Sequence, residues 1–165
     1  MSKKILVVSD THGRNENLKF VLNKEKPDIV YHLGDSELTY QELSEIIRVP
    51  FEVVRGNCDY AYELPMQLVL PLGKHRLFLC HGHRHAVRVD LSTLREAAKQ
   101  NDCDIALYGH NHIPDIDYNC GMICASPGSI SEPRQRLRRL HTYLILTVDD
   151  EGEIKLDMKA VEEIS

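Results

Sequence analysis

The sequence predicts a mixed α/β protein organised around a parallel sheet. Two observations carry this. Short runs rich in Val, Ile and Leu alternate with amphipathic stretches through the first third of the chain, the rhythm of βαβ units. The composition, 42% hydrophobic and 27% charged over 165 residues, is that of one soluble globular domain with a substantial core.

The elements follow in order. Residues 5–8 (Ile-Leu-Val-Val), bounded by lysines, form a buried strand. Leu18, Val21 and Leu22 stand at helical spacing within 15–24, and Pro27 stops that helix. A strand over 29–33, a helix over 40–47 ended before Pro50, and a strand over 51–54 complete the first βαβαβ pattern. Runs at 67–70 and 76–80, separated by Pro71, Gly73 and Lys74, read as a hairpin. A helix over 91–99 has Asp90 as its expected cap, and a strand follows at 105–108. The last third holds strands near 113–118, 122–124, 142–148 and 154–161, the final two an antiparallel pair turned by Asp150-Glu151-Gly152. No repeat, low-complexity segment or linker marks a boundary, so residues 1–165 are expected to form one domain.

Bulk properties narrow the function. A net charge of −5 disfavours a generic nucleic-acid binder, because neutralising phosphate drives such binding. No apolar run approaches a membrane span or signal core, and five cysteines without a secretory leader predict a cytoplasmic protein without a disulfide framework. Cys80, Cys103, Cys120 and Cys124 read as small buried apolar residues.

The informative feature is where the polar residues fall. Five apolar runs each end in a loop carrying Asp, Asn or His beside glycine: Ser9-Asp10-Thr11-His12-Gly13, Gly34-Asp35, Gly56-Asn57-Cys58-Asp59, His81-Gly82-His83 and Gly109-His110-Asn111-His112. Ligands of open α/β sheets bind beyond the carboxyl ends of the strands, so these loops can converge on one site. Asp10, His12, Asp35, Asn57, His81, His110 and His112 are oxygen and imidazole donors, too many for one tetrahedral ion. Two divalent transition metal ions fit, with manganese first and nickel, iron or zinc as alternatives, about 3.5–4 Å apart around a bridging hydroxide.

These motifs, in this order, resemble the calcineurin-like metallophosphoesterase family, whose pattern is D-x-H, G-D, G-N-H-[D/E], a histidine followed by glycine, and G-H-x-H. Ser126-Pro127-Gly128-Ser129 resembles a further segment of its small bacterial members, and Gly-Asn-Cys-Asp resembles the YfcE-type phosphodiesterases among them. The resemblance implies a four-layer α/β/β/α fold, a two-sheet β-sandwich flanked by helices. It implies one ion held by Asp10, His12, Asp35 and His112 and a second by Asp35, Asn57, His81 and His110, with Asp35 bridging. It also places Cys58 and Asp59 on the leaving-group side, where many members have a histidine in place of Cys58.

Other residues have plainer readings. His32 is expected in the core, His75 in the hairpin turn, and His141 at the surface. His83 and His85 divide between supporting a ligand and a simple loop role. Arg14 and the cluster Arg134, Arg136, Arg138 and Arg139 read first as solvated cations and second as contacts for an anionic substrate. The resulting expectation is a metal-dependent phosphodiesterase taking a small phosphodiester, without stable nucleic-acid or membrane binding and with oligomerisation open. A phosphomonoesterase or nucleotide pyrophosphatase on the same site, or a non-catalytic scaffold like a subunit of the retromer coat, are the competing readings.

Overall fold

The computed structural model describes residues 2–136 and 139–163, with only the backbone described at residues 120 and 163. Ten strands form two five-stranded sheets, and three helices pack on them. In the first sheet, β1 (Lys3–Val8), β2 (Ile29–His32) and β3 (Phe51–Val53) run parallel. There β9 (Thr142–Val148) pairs antiparallel with β1 on one side and β10 (Ile154–Ala160) on the other. In the second sheet, β5 (His75–Cys80), β6 (Ile105–Leu107) and β8 (Ile123–Pro127) are parallel, with β4 (Gln67–Leu72) and β7 (Pro114–Asp117) as antiparallel edges.

Strand alternation builds the layers. Ile5 and Val7 of β1, Leu144 and Leu146 of β9, and Leu77 and Leu79 of β5 share one core between the sheets. Leu6, Val8, Tyr143 and Ile145 face the opposite way and pack with Leu18 and Val21 of α1 (Glu16–Glu25) and Leu43 and Ile47 of α2 (Tyr40–Ile47). Phe78 and Cys80 face away from the first sheet and join Leu94 and Ala98 of α3 (Ser92–Gln100). The order is therefore helices, sheet, sheet, helix: the four-layer sandwich that the resemblance implied.

Local chemistry sets the element ends. Thr39 Oγ1 accepts the Glu42 N–H and Glu42 Oε1 accepts the Thr39 N–H, a reciprocal cap that starts α2. Asp90 is not the residue flanking α3, which is Leu91. Its Oδ1 instead accepts the N–H and hydroxyl of Ser92, one residue later than expected. His75 does not sit in the hairpin turn either. It opens β5, with Nδ1 2.6 Å from Asp104 and Nε2 3.6 Å from Glu153. Cys80, Cys103 and Cys124 are buried as expected, whereas the side chain of Cys120 lies outside the described residues. His32 is fully buried, its Nε2 3.0 Å from Thr11 Oγ1 and its Nδ1 accepting the Gly34 N–H. No helix among the described residues is long and apolar enough to cross a membrane.

This topology positions the site. The parallel strands of the two sheets deliver their carboxyl-terminal loops to one edge of the sandwich, and backbone bonds lock them together there. The Asp10 and His12 N–H groups donate to Gly34 and Asp35 carbonyls, and the Gly109 N–H donates to the His81 carbonyl.

Candidate metal centre

The six carboxylate and imidazole donors expected from the sequence fall into close groups. Atoms of Asp10, His12 and His112 lie within 4.8 Å of one another, as do those of Asp35, His81 and His110, and those of His12, Asp35 and Cys58. Asp35 and His12 each belong to two of these groups, and Asp35 Oδ2 lies 3.0 Å from His81 Nε2 and 3.8 Å from His12 Nε2, one from each set. Asn57 is exposed, with its Nδ2 3.5 Å from the Cys58 sulfur.

Three imidazoles are aimed by a partner on the far ring nitrogen. His12 Nδ1 is 3.0 Å from Glu37 Oε2, His81 Nδ1 is 2.7 Å from the Leu33 carbonyl, and His112 Nδ1 is 2.6 Å from the Glu132 carbonyl. A carbonyl or carboxylate there holds the proton on Nδ1 and leaves the Nε2 lone pair facing inward, as metal-ligating histidines require. Those Nε2 atoms face the carboxylates: His112 at 3.1 Å and His12 at 3.6 Å from Asp10 Oδ1, and His81 at 3.0 Å from Asp35 Oδ2. His81 Nε2 and Asp10 Oδ1 are nonetheless buried without a hydrogen-bond partner among the described residues, because the approach angles are wrong for one. His12 Nε2 and His112 Nε2 also face each other at 3.4 Å. Lone pairs of nitrogen and oxygen converging in this way fit divalent cations between them. Among the described residues Cys58 is the one cysteine in these groups, so no thiolate pair of a structural zinc site is present there.

The remaining oxygens are committed to the protein. Asp10 Oδ2 accepts the Ser9 hydroxyl at 2.6 Å and the His110 N–H at 3.1 Å, and Asp35 Oδ1 accepts the Cys58 N–H at 2.8 Å. Asp59 pins the loops: its carboxylate accepts the N–H groups of Asp35, Gly56 and Glu37 at 2.9, 2.7 and 2.7 Å. Asp10, His12, Asp35, Glu37, His110 and His112 all adopt left-handed backbone, with φ from 48° to 75°. Such residues persist only where surroundings over-determine them, which is typical of ligand sites. Two glycines are required by close approach: a Cβ on Gly56 would overlap Asp35 Oδ1, and one on Gly109 would overlap Ser9 Oγ.

The electrostatics match. Burial works against charge on Asp10, but His112 and His12 outweigh it and hold the carboxyl well below its usual range. The Asp10 carboxylate raises His12 to about 9 against opposing burial, so an ion entering between them would displace a proton from that imidazole. Burial, His81 and Arg88 push His110 down to about 4, which leaves that imidazole neutral and able to donate a lone pair. Burial and then Asp35 and Glu37 push the Cys58 thiol up to about 11, away from a thiolate.

Sequence reasoning missed Glu37, which orients His12, and Arg88, whose Nη2 lies 3.4 Å from the His110 carbonyl. Ser129, singled out only as part of a family-like segment, has its role here: its hydroxyl donates to the Asp10 carbonyl at 2.8 Å and accepts the Ser131 and Glu132 N–H groups. His83 lies at the centre, its ring centroid 5.5 Å from that of His81 and 6.2 Å from that of His110. The Arg134 N–H donates to the His112 carbonyl, which sets that segment against the site, while Arg138 lies outside the described residues. His141 pairs with Glu162 and has no contact with the centre.

Comparison with known proteins gives a consistent picture. Residues 4–151 match the model of the calcineurin-like phosphoesterase superfamily domain. The chain is 34% identical over 150 residues to a probable metallophosphoesterase, YsnB, of Bacillus subtilis, covering 90% of this chain and 86% of that one. It is 37% identical over 90 residues to the phosphodiesterase YfcE of Escherichia coli, covering 49% and 45% of the two chains. Among solved structures, a predicted phosphoesterase from Streptococcus pneumoniae superposes with a TM-score of 0.82 at 32% identity, covering 98% of this chain and 91% of that one. Vps29 of Entamoeba histolytica, solved with zinc, shares the fold at a TM-score of 0.72 and 22% identity, covering 96% and 99%.

Proposed function

The chain belongs to the calcineurin-like phosphoesterase superfamily, and from that premise we propose that it is a binuclear metal-dependent phosphodiesterase. The observation that carries the reading is the convergence of three oriented imidazoles on two carboxylates, with His81 Nε2 and Asp10 Oδ1 buried there without a hydrogen-bond partner among the described residues. Asp10, His12 and His112 would hold one ion and His81 and His110 the other, with Asp35 between them and Asn57 completing the second after a side-chain rotation. When bound, two divalent ions supply an activated water and neutralise charge on the non-bridging phosphate oxygens.

The chain's own residues do the rest. Glu37 and the Leu33 and Glu132 carbonyls keep three imidazoles in the ligating tautomer. Asp59 fixes the Asp35 loop against the Gly56 loop. Cys58, a thiol beside Asp35 and His12, is a weak donor and a poor general acid. Without a strong acid, a diester with a good leaving group is the better substrate, since it carries less negative charge than a monoester dianion. Manganese is the first choice of metal, with nickel, iron or zinc next. The oriented imidazoles and the six left-handed residues around one point support the enzyme over a non-catalytic scaffold.

The test is hydrolysis of bis(p-nitrophenyl) phosphate against p-nitrophenyl phosphate with each metal in turn. The reading predicts metal-dependent turnover with the diester preferred. Turnover of the monoester alone would replace it with a monoesterase.

A further inference from the structure

We propose that the pocket beside His81 is a subsite for one ester group of the substrate, selecting phosphodiesters in which that alcohol bears hydroxyls and a second phosphate. This rests on the phosphodiesterase reading and narrows it to a substrate class.

The pocket is a cavity of about 200 Å³ lined in part by Met66, Gln67, His81, His83, Arg84 and His85. His81 belongs both to this pocket and to the metal cluster, so the pocket adjoins the centre. The walls are fixed. Arg55 grips the Met66 sulfur through Nε and Nη2 at 3.1 and 3.0 Å. The His85 N–H closes a turn onto the Gly82 carbonyl at 3.0 Å, and its ring stands edge-on to Phe78 at 5.7 Å.

Its polar groups are unmet. The Nδ1 atoms of His83 and His85 are buried and have no hydrogen-bond partner among the described residues. These buried atoms do not open on the cavity themselves, but rotation of either ring about its Cβ–Cγ bond would turn a nitrogen toward an occupant. Arg84 is exposed at the same pocket, with no carboxylate paired to it among the described residues, on a chain of net charge −5. Two imidazole nitrogens, an amide and a guanidinium suit hydroxyls and phosphate oxygens. An aryl or alkyl group would leave all of them unsatisfied.

The experiment uses p-nitrophenyl diesters that share a leaving group and differ in the other alcohol: methanol, thymidine through its 5′ oxygen, and thymidine bearing a 3′-phosphate. The metal-loaded wild type should rank them in ascending kcat/KM in that order. Arg84→Ala should lose roughly tenfold or more on the 3′-phosphorylated ester, mainly through KM, and less than about twofold on the methyl ester. His85→Ala should weaken both thymidine esters. Calorimetry of thymidine 3′,5′-bisphosphate on the metal-free chain gives a readout independent of turnover, and both variants should weaken it. Equal kcat/KM on all three esters in the wild type, or variants that lower all three alike, would overturn the subsite. Turnover of none, with bisphosphate binding still lost in Arg84→Ala, would overturn the diesterase reading while supporting the pocket.

Discussion

Removing the Asp59 carboxylate should damage stability and metal binding together, although the side chain is not among the expected ligands. It is half-buried and accepts three backbone N–H groups, from Asp35, Gly56 and Glu37, at 2.7–2.9 Å. Hydrogen bonds to a charged acceptor contribute about 1.5–3 kcal/mol each, but they are not additive and one of these is exposed, so Asp59→Ala should cost about 3–5 kcal/mol. For a chain of this size that corresponds to a Tm lower by on the order of 10 °C. The same loss frees the Asp35 and Glu37 loop, and disturbing groups that orient ligands typically weakens metal affinity roughly 10–100-fold. Asp59→Asn keeps one acceptor oxygen and should fall between. The assay is a thermal melt of the metal-free chain paired with calorimetric metal titration. A variant melting within about 2 °C of wild type with undiminished metal affinity would refute the assignment of Asp59 as the pin between loops.

Other perturbations separate the parts of the account. Asp35→Asn should weaken both metal sites together, whereas His12→Ala should mainly weaken one; two-step metal titrations distinguish these. Cys58→Ser should retain most diesterase activity and Cys58→His should gain monoesterase activity, since a positioned acid contributes ~10²–10⁴-fold; kcat/KM on a matched diester and monoester reads both. Far from the site, Glu25 is buried and accepts the Tyr143 hydroxyl at 2.7 Å, with the Lys159 ammonium at 3.2 Å and that of Lys4 at 3.3 Å. Burial alone would raise its pKa, but these partners lower it below the usual 4.5. A depressed folded pKa gives stability that is present above about pH 4.5 and lost as pH falls through the folded value. Glu25→Gln should therefore lower Tm at pH 7 by several degrees, about 1–2 kcal/mol, and the gap should narrow as pH falls below 4.5 and close below the folded value.

Much of the fold and the centre was legible because the signals are local. Residues 40–47 form α2 with both ends where the periodicity put them, and β9 matches its expected range. The five polar loops were readable because each follows a buried strand directly. What was not legible depends on distant partners. Glu37 orients His12 across 25 residues, and the Leu33 carbonyl orients His81 across 48, with nothing in the local pattern of either to announce it. The parallel alignment of β5, β6 and β8 is likewise a matter of pairing between separated segments. His75 was misplaced because a histidine beside a turn gives no sign of Asp104, 29 residues on, which draws it into β5.

The central claim is that the carboxylates and imidazoles around Asp35 hold two ions that hydrolysis requires. The measurement that bears on it most directly is diester turnover followed during stepwise addition of manganese to chelator-stripped protein, with the bound metal counted at each step. The account predicts saturation near two ions per chain, turnover rising with the second equivalent, and loss of activity on chelation. A chain that stays fully active in excess chelator, or that saturates in activity with no bound metal, would contradict it.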